Sequence, residues 1–235
     1  MRDSKLPLRR LGRVCTTISA GAASEMAEKA AAAFALGTDL VELRFDMLKK
    51  PSSALGKRLS HLAGRSVFTV RRRDEGGGFM GAESERLSLI SALCVLRPLF
   101  VDVELRTAKQ NPEWYGGLPK GCRKIVSWHD LGGTPGLREM KRARDEAGSL
   151  GDVAKIVTLA ARREDNLRVL RLYEDSPCGL IAFCMGEAGT VSRLVSLQLG
   201  SPLAYASLPN EPVAQGQPSV TTLLGLRRIW ERRGW

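Results

Sequence analysis

Two short apolar strands with a helix between them decide the fold of this chain: Lys124-Ile-Val-Ser-Trp-His-Asp-Leu131 and Gly151-Asp-Val-Ala-Lys-Ile-Val-Thr-Leu-Ala160. The stretch from Gly136 to Ala147 between them has the pattern of an amphipathic helix. Short apolar strands that alternate with longer helices are typical of βα units and a parallel sheet. Such a unit places His129 and Lys155 at corresponding strand ends.

The same alternation continues in both directions along the 235 residues. We predict eight strands, at Arg13 to Ser19, Asp39 to Leu43, Val67 to Arg71, Leu99 to Glu104, Lys124 to Trp128, Val153 to Leu159, Leu180 to Met185 and Leu203 to Ala206. Helices are predicted at Ala23 to Leu36, Glu83 to Leu96, Gly136 to Ala147, Glu164 to Tyr173, Thr190 to Leu199 and Val220 to Arg233. Between Arg106 and Gly121, Asn111-Pro112 and Gly116-Gly117 predict a short helix or none.

Eight strands with intervening helices predict an α/β protein with a single (β/α)8 TIM barrel. Such a barrel needs roughly 200 to 250 residues, so residues 1–235 are expected to form one domain. The rival is an open doubly wound sheet, but no Gly-x-Gly-x-x-Gly turn opens the first helix. Gly76-Gly-Gly78 lacks the frame and the lysine of a P-loop, so we interpret it as a flexible loop.

Composition limits the classes of protein and the kinds of site to be expected. No run approaches the roughly 20 apolar residues that span a bilayer, and Met1 to Arg13 leads into no apolar signal-peptide region. A cytoplasmic protein without membrane contact is expected. The five cysteines are scattered, which indicates reduced core thiols, and neither Cys nor His occurs in the close pairs of a metal site.

The formal net charge of +11 raises the question of nucleic acid. The basic residues, however, are spread along the chain and interleaved with acids, without an RNP-type motif or zinc-finger spacing. We therefore expect no nucleic-acid partner, and interpret the charge as a solvated surface whose field attracts a small anionic substrate.

Lys155 lies in an otherwise buried strand. Desolvation disfavours the charged form of a lysine there, and a free amine is the usual starting point of Schiff-base chemistry. The alternative is that Lys155 lies near a strand end and extends its ammonium into water. His129 favours the catalytic interpretation, because it brings a proton-transfer group to the neighbouring strand end.

Polar side chains follow most of the predicted strands, and in a barrel the carboxyl ends of the strands face one pocket. They are Glu42, Arg44, Arg71, Asp102, Glu104, His129, Lys155, Arg193 and, in the loop after the eighth strand, Gln217. Each has a structural alternative: Glu42 and Arg44 could form a salt bridge, and Arg193 could be a solvated helical residue.

Several segments resemble those of the type I 3-dehydroquinate dehydratases of the shikimate pathway. They are collinear and cover nearly the whole chain: Val41-Glu-Leu-Arg44, Phe68-Thr-Val-Arg71, Val101-Asp-Val-Glu-Leu105, Ser127-Trp-His-Asp130, Lys155-Ile156, Met185-Gly-Glu-Ala-Gly-Thr-Val-Ser-Arg193 and Gly216-Gln217.

The resemblance implies a (β/α)8 barrel that dehydrates 3-dehydroquinate to 3-dehydroshikimate without metal or organic cofactor, and we expect a homodimer. By motif position, Lys155 matches the Schiff-base lysine, His129 the general acid/base, and Glu104 the carboxylate that orients this histidine. The other matches are substrate-binding groups: Glu42, Arg44 and Arg71 near the hydroxyls, Arg193 at the carboxylate, and Gln217 in a closing loop.

Two departures from the resemblance concern the pocket. Val213-Ala-Gln-Gly-Gln217 stands where Ser-Ala-Pro-Gly-Gln is found in better-known bacterial members, so a loop hydroxyl is missing. Phe183 stands where a second methionine is common. The loop from Ser207 to Pro218 is expected to be mobile without ligand and to close over the substrate. Alternatives are another Schiff-base barrel lyase, such as a class I aldolase, and a basic nucleic-acid-binding protein.

Overall fold

The computed structural model of the protein describes residues 11–233 and contains eight strands that alternate with helices. The strands are β1 Arg13–Ile18, β2 Leu40–Arg44, β3 Ser66–Thr69, β4 Phe100–Glu104, β5 Lys124–Asp130, β6 Val153–Leu159, β7 Gly179–Met185 and β8 Leu203–Ala206. The helices are α1 Ala23–Ala35, α2 Ser53–Arg58, α3 Glu83–Cys94, α4 Leu105–Gln110, α5 Pro112–Gly116, α6 Leu137–Leu150, α7 Asp165–Leu170, α8 Thr190–Gln198 and α9 Val220–Arg232. Short 3-10 helices lie at Phe45–Met47, Ser60–Arg65, Arg73–Glu75, Arg171–Tyr173 and Glu187–Gly189.

From β1 to β7 each strand pairs in parallel with the next in sequence, and β8 pairs in parallel with β1, with Arg13 opposite Leu203 and Thr16 opposite Ala206, whereas β7 and β8 are not paired with each other. The sheet therefore forms a nearly closed barrel, and the predicted (β/α)8 fold is confirmed. At the β7–β8 seam the Phe183 and Tyr205 rings lie 6.3 Å apart inside the barrel.

The barrel interior is built from alternate residues of the strands, because successive side chains in a strand point to opposite faces. Near their amino ends the eight strands contribute one apolar cluster, formed by Cys15, Leu40, Val67, Phe100, Ile125, Val153, Ile181 and Leu203. Lys155 lies two residues after Val153 and thus projects into the same interior. The alternation of side chains that puts these apolar residues inside the barrel therefore also puts Lys155 inside it.

The predicted element boundaries shift where tertiary pairing extends or shortens a strand. β5 continues to Asp130, because His129 and Asp130 pair with Val157 and Thr158 of β6. The segment after β4 folds as α4 and α5, and the prediction of a short helix there is confirmed. Between residues 11 and 233, no helix is long and apolar enough to cross a membrane.

Candidate active site

A cavity of about 350 Å³ opens at the carboxyl ends of the strands. Its lining includes every residue predicted for the site except Asp102 and Glu104: Glu42, Arg44, Arg71, His129, Lys155, Arg193 and Gln217. A larger groove of about 950 Å³ lies beside it, between the segments that follow β2 and β3. Neither Lys155 nor His129 lines that groove, so the smaller cavity is the candidate active site.

Lys155 is buried, with 5% of its surface exposed, and does not extend into water. Its Nζ lies 2.9 Å from Oδ2 of Asp102, 3.8 Å from Oε1 of Glu42, and 4.3 Å from the centre of the Tyr205 ring. The ion pair with Asp102 opposes the desolvation that burial imposes on the ammonium. The lysine is therefore held in a fixed position facing the cavity.

Asp102 is the buried anion that links Lys155 to the rest of the site. Its Oδ1 accepts a hydrogen bond from Ser127 Oγ at 2.6 Å and lies 2.7 Å from Arg71 Nη2. Burial alone would raise the pKa of Asp102, but the charges of Arg71 and Lys155 hold it well below its ordinary value. Sequence reasoning noted Asp102 only as a strand-end acid and missed this role.

The partner of His129 is Glu75, whose Oε2 lies 2.9 Å from Nδ1. Burial, together with the charges of Arg71 and Lys155, holds the pKa of His129 well below its usual range, so the imidazole is neutral near pH 7. Burial raises the pKa of Glu75 to about 7, with Glu104 and Asp102 adding to the shift and Arg71 opposing it. A neutral imidazole thus lies beside a carboxyl group that changes charge near pH 7.

The prediction that Glu104 orients His129 is wrong. Glu104 is fully buried: its Oε1 accepts from Arg71 Nη1 and the Arg72 backbone N–H, each at 3.0 Å. Its Oε2 accepts from Arg86 Nη1 at 2.9 Å and Thr107 Oγ1 at 3.2 Å. Both oxygens are occupied by other donors, because α3 brings Arg86 against the end of β4. Glu104 positions Arg71 instead of the histidine.

Glu75 was missed because it ends a short 3-10 helix directly before Gly76-Gly-Gly78, which we interpreted as a flexible loop. Gly76 has a φ of 81°, and a Cβ on Gly77 would lie 2.0 Å from the Arg71 carbonyl oxygen. The Gly77 N–H donates to the Arg72 carbonyl at 2.8 Å. These glycines allow a tight turn that carries Glu75 back over the barrel. An acid directly before three consecutive glycines was the signal available in the sequence.

Glu42 and Arg44 do not form the salt bridge that we considered. Arg44 pairs with Asp46 through two parallel hydrogen bonds of 2.9 and 2.7 Å. Glu42 accepts from Thr17 Oγ1 at 3.0 Å and from Thr69 Oγ1 at 2.9 Å. Both residues are oriented by neighbours on other segments and contribute polar groups to the cavity wall.

Arg193 is a buried cation with unused hydrogen-bonding capacity. Its guanidinium carbon lies 4.4 Å above the centre of the Phe183 ring, and Nη2 makes a long contact of 3.4 Å with the Gln215 carbonyl oxygen. Nε is buried and has no hydrogen-bond partner among the described residues. Burial lowers the pKa of Arg193 to about 10. Since a buried cation needs a partner, this position is suited to an anionic ligand and is not that of a solvated helical residue.

Gln217 lines the cavity, yet its amide is bound within the protein. Oε1 accepts from the Val213 and Ala214 backbone N–H groups at 3.1 and 3.3 Å. Nε2 donates to Thr17 Oγ1 at 3.1 Å and to the Ala206 carbonyl at 2.9 Å. Gln217 therefore organises the loop after β8, and a substrate contact would require exchange of one of these bonds.

The loop after β8 packs against the end of β7. Gly216 has a φ of 70°, and a Cβ there would lie 2.2 Å from the Gly186 carbonyl oxygen. The Gly186 N–H donates to the Gln215 carbonyl at 3.2 Å. Together with Gln217, this contact holds Val213 and Gln215 at the rim of the cavity. The expected mobility of the loop stays a prediction.

Comparison with known proteins gives one consistent result. The chain is similar to the 3-dehydroquinate dehydratase of Thermococcus gammatolerans, with 41% identity over 79% of this chain and 84% of the relative. It is 35% identical to the enzyme of the same name from Pyrococcus abyssi, over 92% and 97% of the two chains. A crystal structure of 3-dehydroquinate dehydratase from Geobacillus kaustophilus HTA426 superposes with a TM-score of 0.85 over 94% of this chain and 91% of that chain. At 24% identity, this last match shows the fold alone.

The match to a protein family extends over the barrel and includes the whole cavity. The type I 3-dehydroquinase model aligns with residues 14–232, which contain Lys155, His129 and the arginines of the site. With curated relatives above 30% identity over most of their length, the chain belongs to the type I 3-dehydroquinase family.

Proposed function

We propose that the protein dehydrates 3-dehydroquinate to 3-dehydroshikimate through a Schiff base on Lys155, in the biosynthesis of chorismate and aromatic amino acids. The observation that carries this proposal is the convergence of three groups on one cavity. They are a buried lysine, a neutral histidine with a carboxyl partner, and an arginine without a buried anion. Family membership supports the choice of substrate.

Substrate binding begins when Arg193 binds the carboxylate. Its Nε has no hydrogen-bond partner among the described residues and its Nη2 makes only a long contact with Gln215, so both can donate to the substrate. Lys155 gives up one ammonium proton, and its amine then adds to the substrate carbonyl. That proton and one more from the nitrogen leave with the carbonyl oxygen as water, which yields the protonated imine. The imine nitrogen withdraws electrons from the adjacent carbon, so the C–H bond there becomes acidic. Lys155 thereby supplies the electron sink without metal or organic cofactor.

His129 performs the two proton transfers. As a neutral imidazole it removes the proton from the carbon next to the imine, and the imidazolium is stabilised by ionised Glu75 at 2.9 Å. The imidazolium then protonates the leaving hydroxyl, which departs as water while the carbon–carbon double bond forms. Hydrolysis of the imine releases the product and restores Lys155.

The decisive experiment is borohydride reduction in the presence of 3-dehydroquinate, followed by mass measurement of the intact chain and its peptides. We expect a covalent adduct on the peptide containing Lys155, together with turnover of the untreated enzyme. Lys155→Ala should lose both, because neither His129 nor Glu75 can replace the electron sink. Turnover by this variant at the wild-type rate would contradict the mechanism.

A class I aldolase would require backbone amides free to bind a sugar phosphate after β7 and β8. The Gly186 N–H is bound to Gln215, and the Gly189 N–H to Gly186 at 3.0 Å. These amides are already used, so the geometry favours the dehydratase. The expected homodimer belongs to the same proposal and can be checked by sedimentation equilibrium.

A further inference from the structure

The ring of Tyr205 lies in contact with the nitrogen of Lys155. Tyr205 lies on β8, with 5% of its surface exposed, and its ring centre is 4.3 Å from Nζ of Lys155. Phe183 on β7 supports the ring in a tilted contact, at 6.3 Å and 53°. The mechanism above assigns Tyr205 no role, although its ring and the Lys155 nitrogen form part of the same cavity lining.

The polar contacts of Lys155 must change when the nitrogen reacts. An ammonium has three N–H donors, here directed to Asp102 at 2.9 Å and near Glu42 at 3.8 Å. A protonated imine keeps the positive charge but only one N–H, so it can retain one strong hydrogen bond. The attraction between a cation and an aromatic face requires no N–H. The iminium therefore keeps the contact with Tyr205, whereas the neutral amine and the neutral carbinolamine that precede it carry no charge for the ring face to attract.

The hydroxyl group of Tyr205 makes no hydrogen bond that would account for a tyrosine at this position. Its Oη is buried and has no hydrogen-bond partner within residues 11–233. Burial, with the charge of Glu42 adding to it, raises the pKa of Tyr205 well above its ordinary value, so the phenol stays neutral. Leaving a buried hydroxyl unpaired is unfavourable. The ring face, and not the hydroxyl, makes the contact with the lysine.

We propose that Tyr205 is a further catalytic residue, whose ring face stabilises the iminium form of Lys155 by a cation–π interaction. The inference rests on the proposed Schiff-base function. A tyrosine that only filled the barrel core would affect stability without changing how much enzyme is present as iminium at saturating substrate.

The test compares Tyr205→Phe with Tyr205→Leu. The phenylalanine keeps the ring face and removes the unpaired hydroxyl, whereas the leucine removes the ring. A desolvated cation–π contact contributes about 1 to 2 kcal/mol, which corresponds to about 5- to 30-fold. We expect the leucine variant to lose this factor in kcat and in the rate of borohydride trapping at saturating 3-dehydroquinate. The phenylalanine variant should remain within about threefold of wild type.

Phe68→Leu is the matched control. It removes a buried ring that packs against Phe45 at 5.0 Å and is not part of the cavity lining. We expect it to lower Tm and to leave trapping at saturating substrate unchanged. Wild-type trapping by Tyr205→Leu, or an equal loss in Tyr205→Phe, would overturn the assignment to the ring face.

A second series keeps the shape of the side chain, in case Tyr205→Leu does not fold. Phenylalanine analogues with one to five fluorine atoms at position 205 progressively weaken the negative face of the ring. We expect trapping to fall stepwise with fluorine number, and a flat response would also overturn the inference. If wild type itself forms no adduct while turning over substrate, the Schiff-base proposal has failed instead.

Discussion

Exchange of Glu75 for glutamine tests the revised acid/base pair most directly. Glu75→Gln keeps the size of the side chain and an oxygen that can accept from His129 Nδ1, but it removes the negative charge. The ground state, with a neutral histidine, should change little. The step that creates an imidazolium should slow, because the charge facing it at 2.9 Å is gone.

The distance sets the size of the effect. Two opposite unit charges 2.9 Å apart attract each other by about 6 kcal/mol at an effective dielectric constant of about 20. Arg71 competes for the same carboxylate, and the glutamine oxygen retains part of the hydrogen bond. We therefore expect a loss of about 3 to 5 kcal/mol, or about 10²- to 10⁴-fold in kcat, with KM nearly constant.

The assay is steady-state turnover of 3-dehydroquinate between pH 5 and 9, followed by product absorbance. In wild type, kcat/KM should rise with pH and level off above about 7, because Glu75 must be ionised to stabilise the imidazolium and its pKa is raised to about 7. Glu75→Gln should lose this rise. Borohydride trapping should still give an adduct, since Lys155 is intact.

Glu104→Gln is the matched control, because Glu104 lies in the same charged cluster but binds Arg71 and Arg86. Weakening these buried ion pairs should lower Tm by about 10 °C, from a loss on the order of 3 to 5 kcal/mol. Our reasoning would be refuted if Glu104→Gln lost kcat at an unchanged Tm while Glu75→Gln turned over like wild type.

Three further predictions concern the other groups of the cavity. His129→Ala should still form a borohydride-trapped adduct but lose turnover by about 10²- to 10⁴-fold per proton transfer, and near-normal turnover would assign the base elsewhere. Arg193→Lys should raise KM about 10- to 100-fold despite the conserved charge, since an ammonium cannot copy a two-donor contact with a carboxylate; an unchanged KM would remove Arg193 from the substrate site. Gln217→Ala should accelerate proteolysis between residues 207 and 218 and weaken turnover while Tm stays nearly constant, and cleavage at the wild-type rate would argue against its role in holding the loop.

Binary patterning determined the architecture and the position of the lysine. Strand side chains alternate between two faces over a few residues, so the apolar positions around Val153 predict which face is interior and put Lys155 on it. The apolar bottom layer and the polar residues two positions further along most strands follow from the same local rule. The turn at Gly76 and Gly77 could not be predicted in this way, because its conformation depends on contacts with Arg71 that composition alone does not reveal.

Only the tertiary structure decided which carboxylate serves which cation. Glu75 and His129 are 54 residues apart, and Asp102 and Lys155 are 53 apart. Several acids lie close enough in the barrel to compete for these partners. Glu104 binds arginines because α3 delivers Arg86 to it, which leaves Glu75 to the histidine. A hydrogen bond is lost when the donor–acceptor distance grows by about 0.5 Å. Which carboxylate pairs with which cation therefore depends on the packing of distant segments and not on the spacing of residues along the chain.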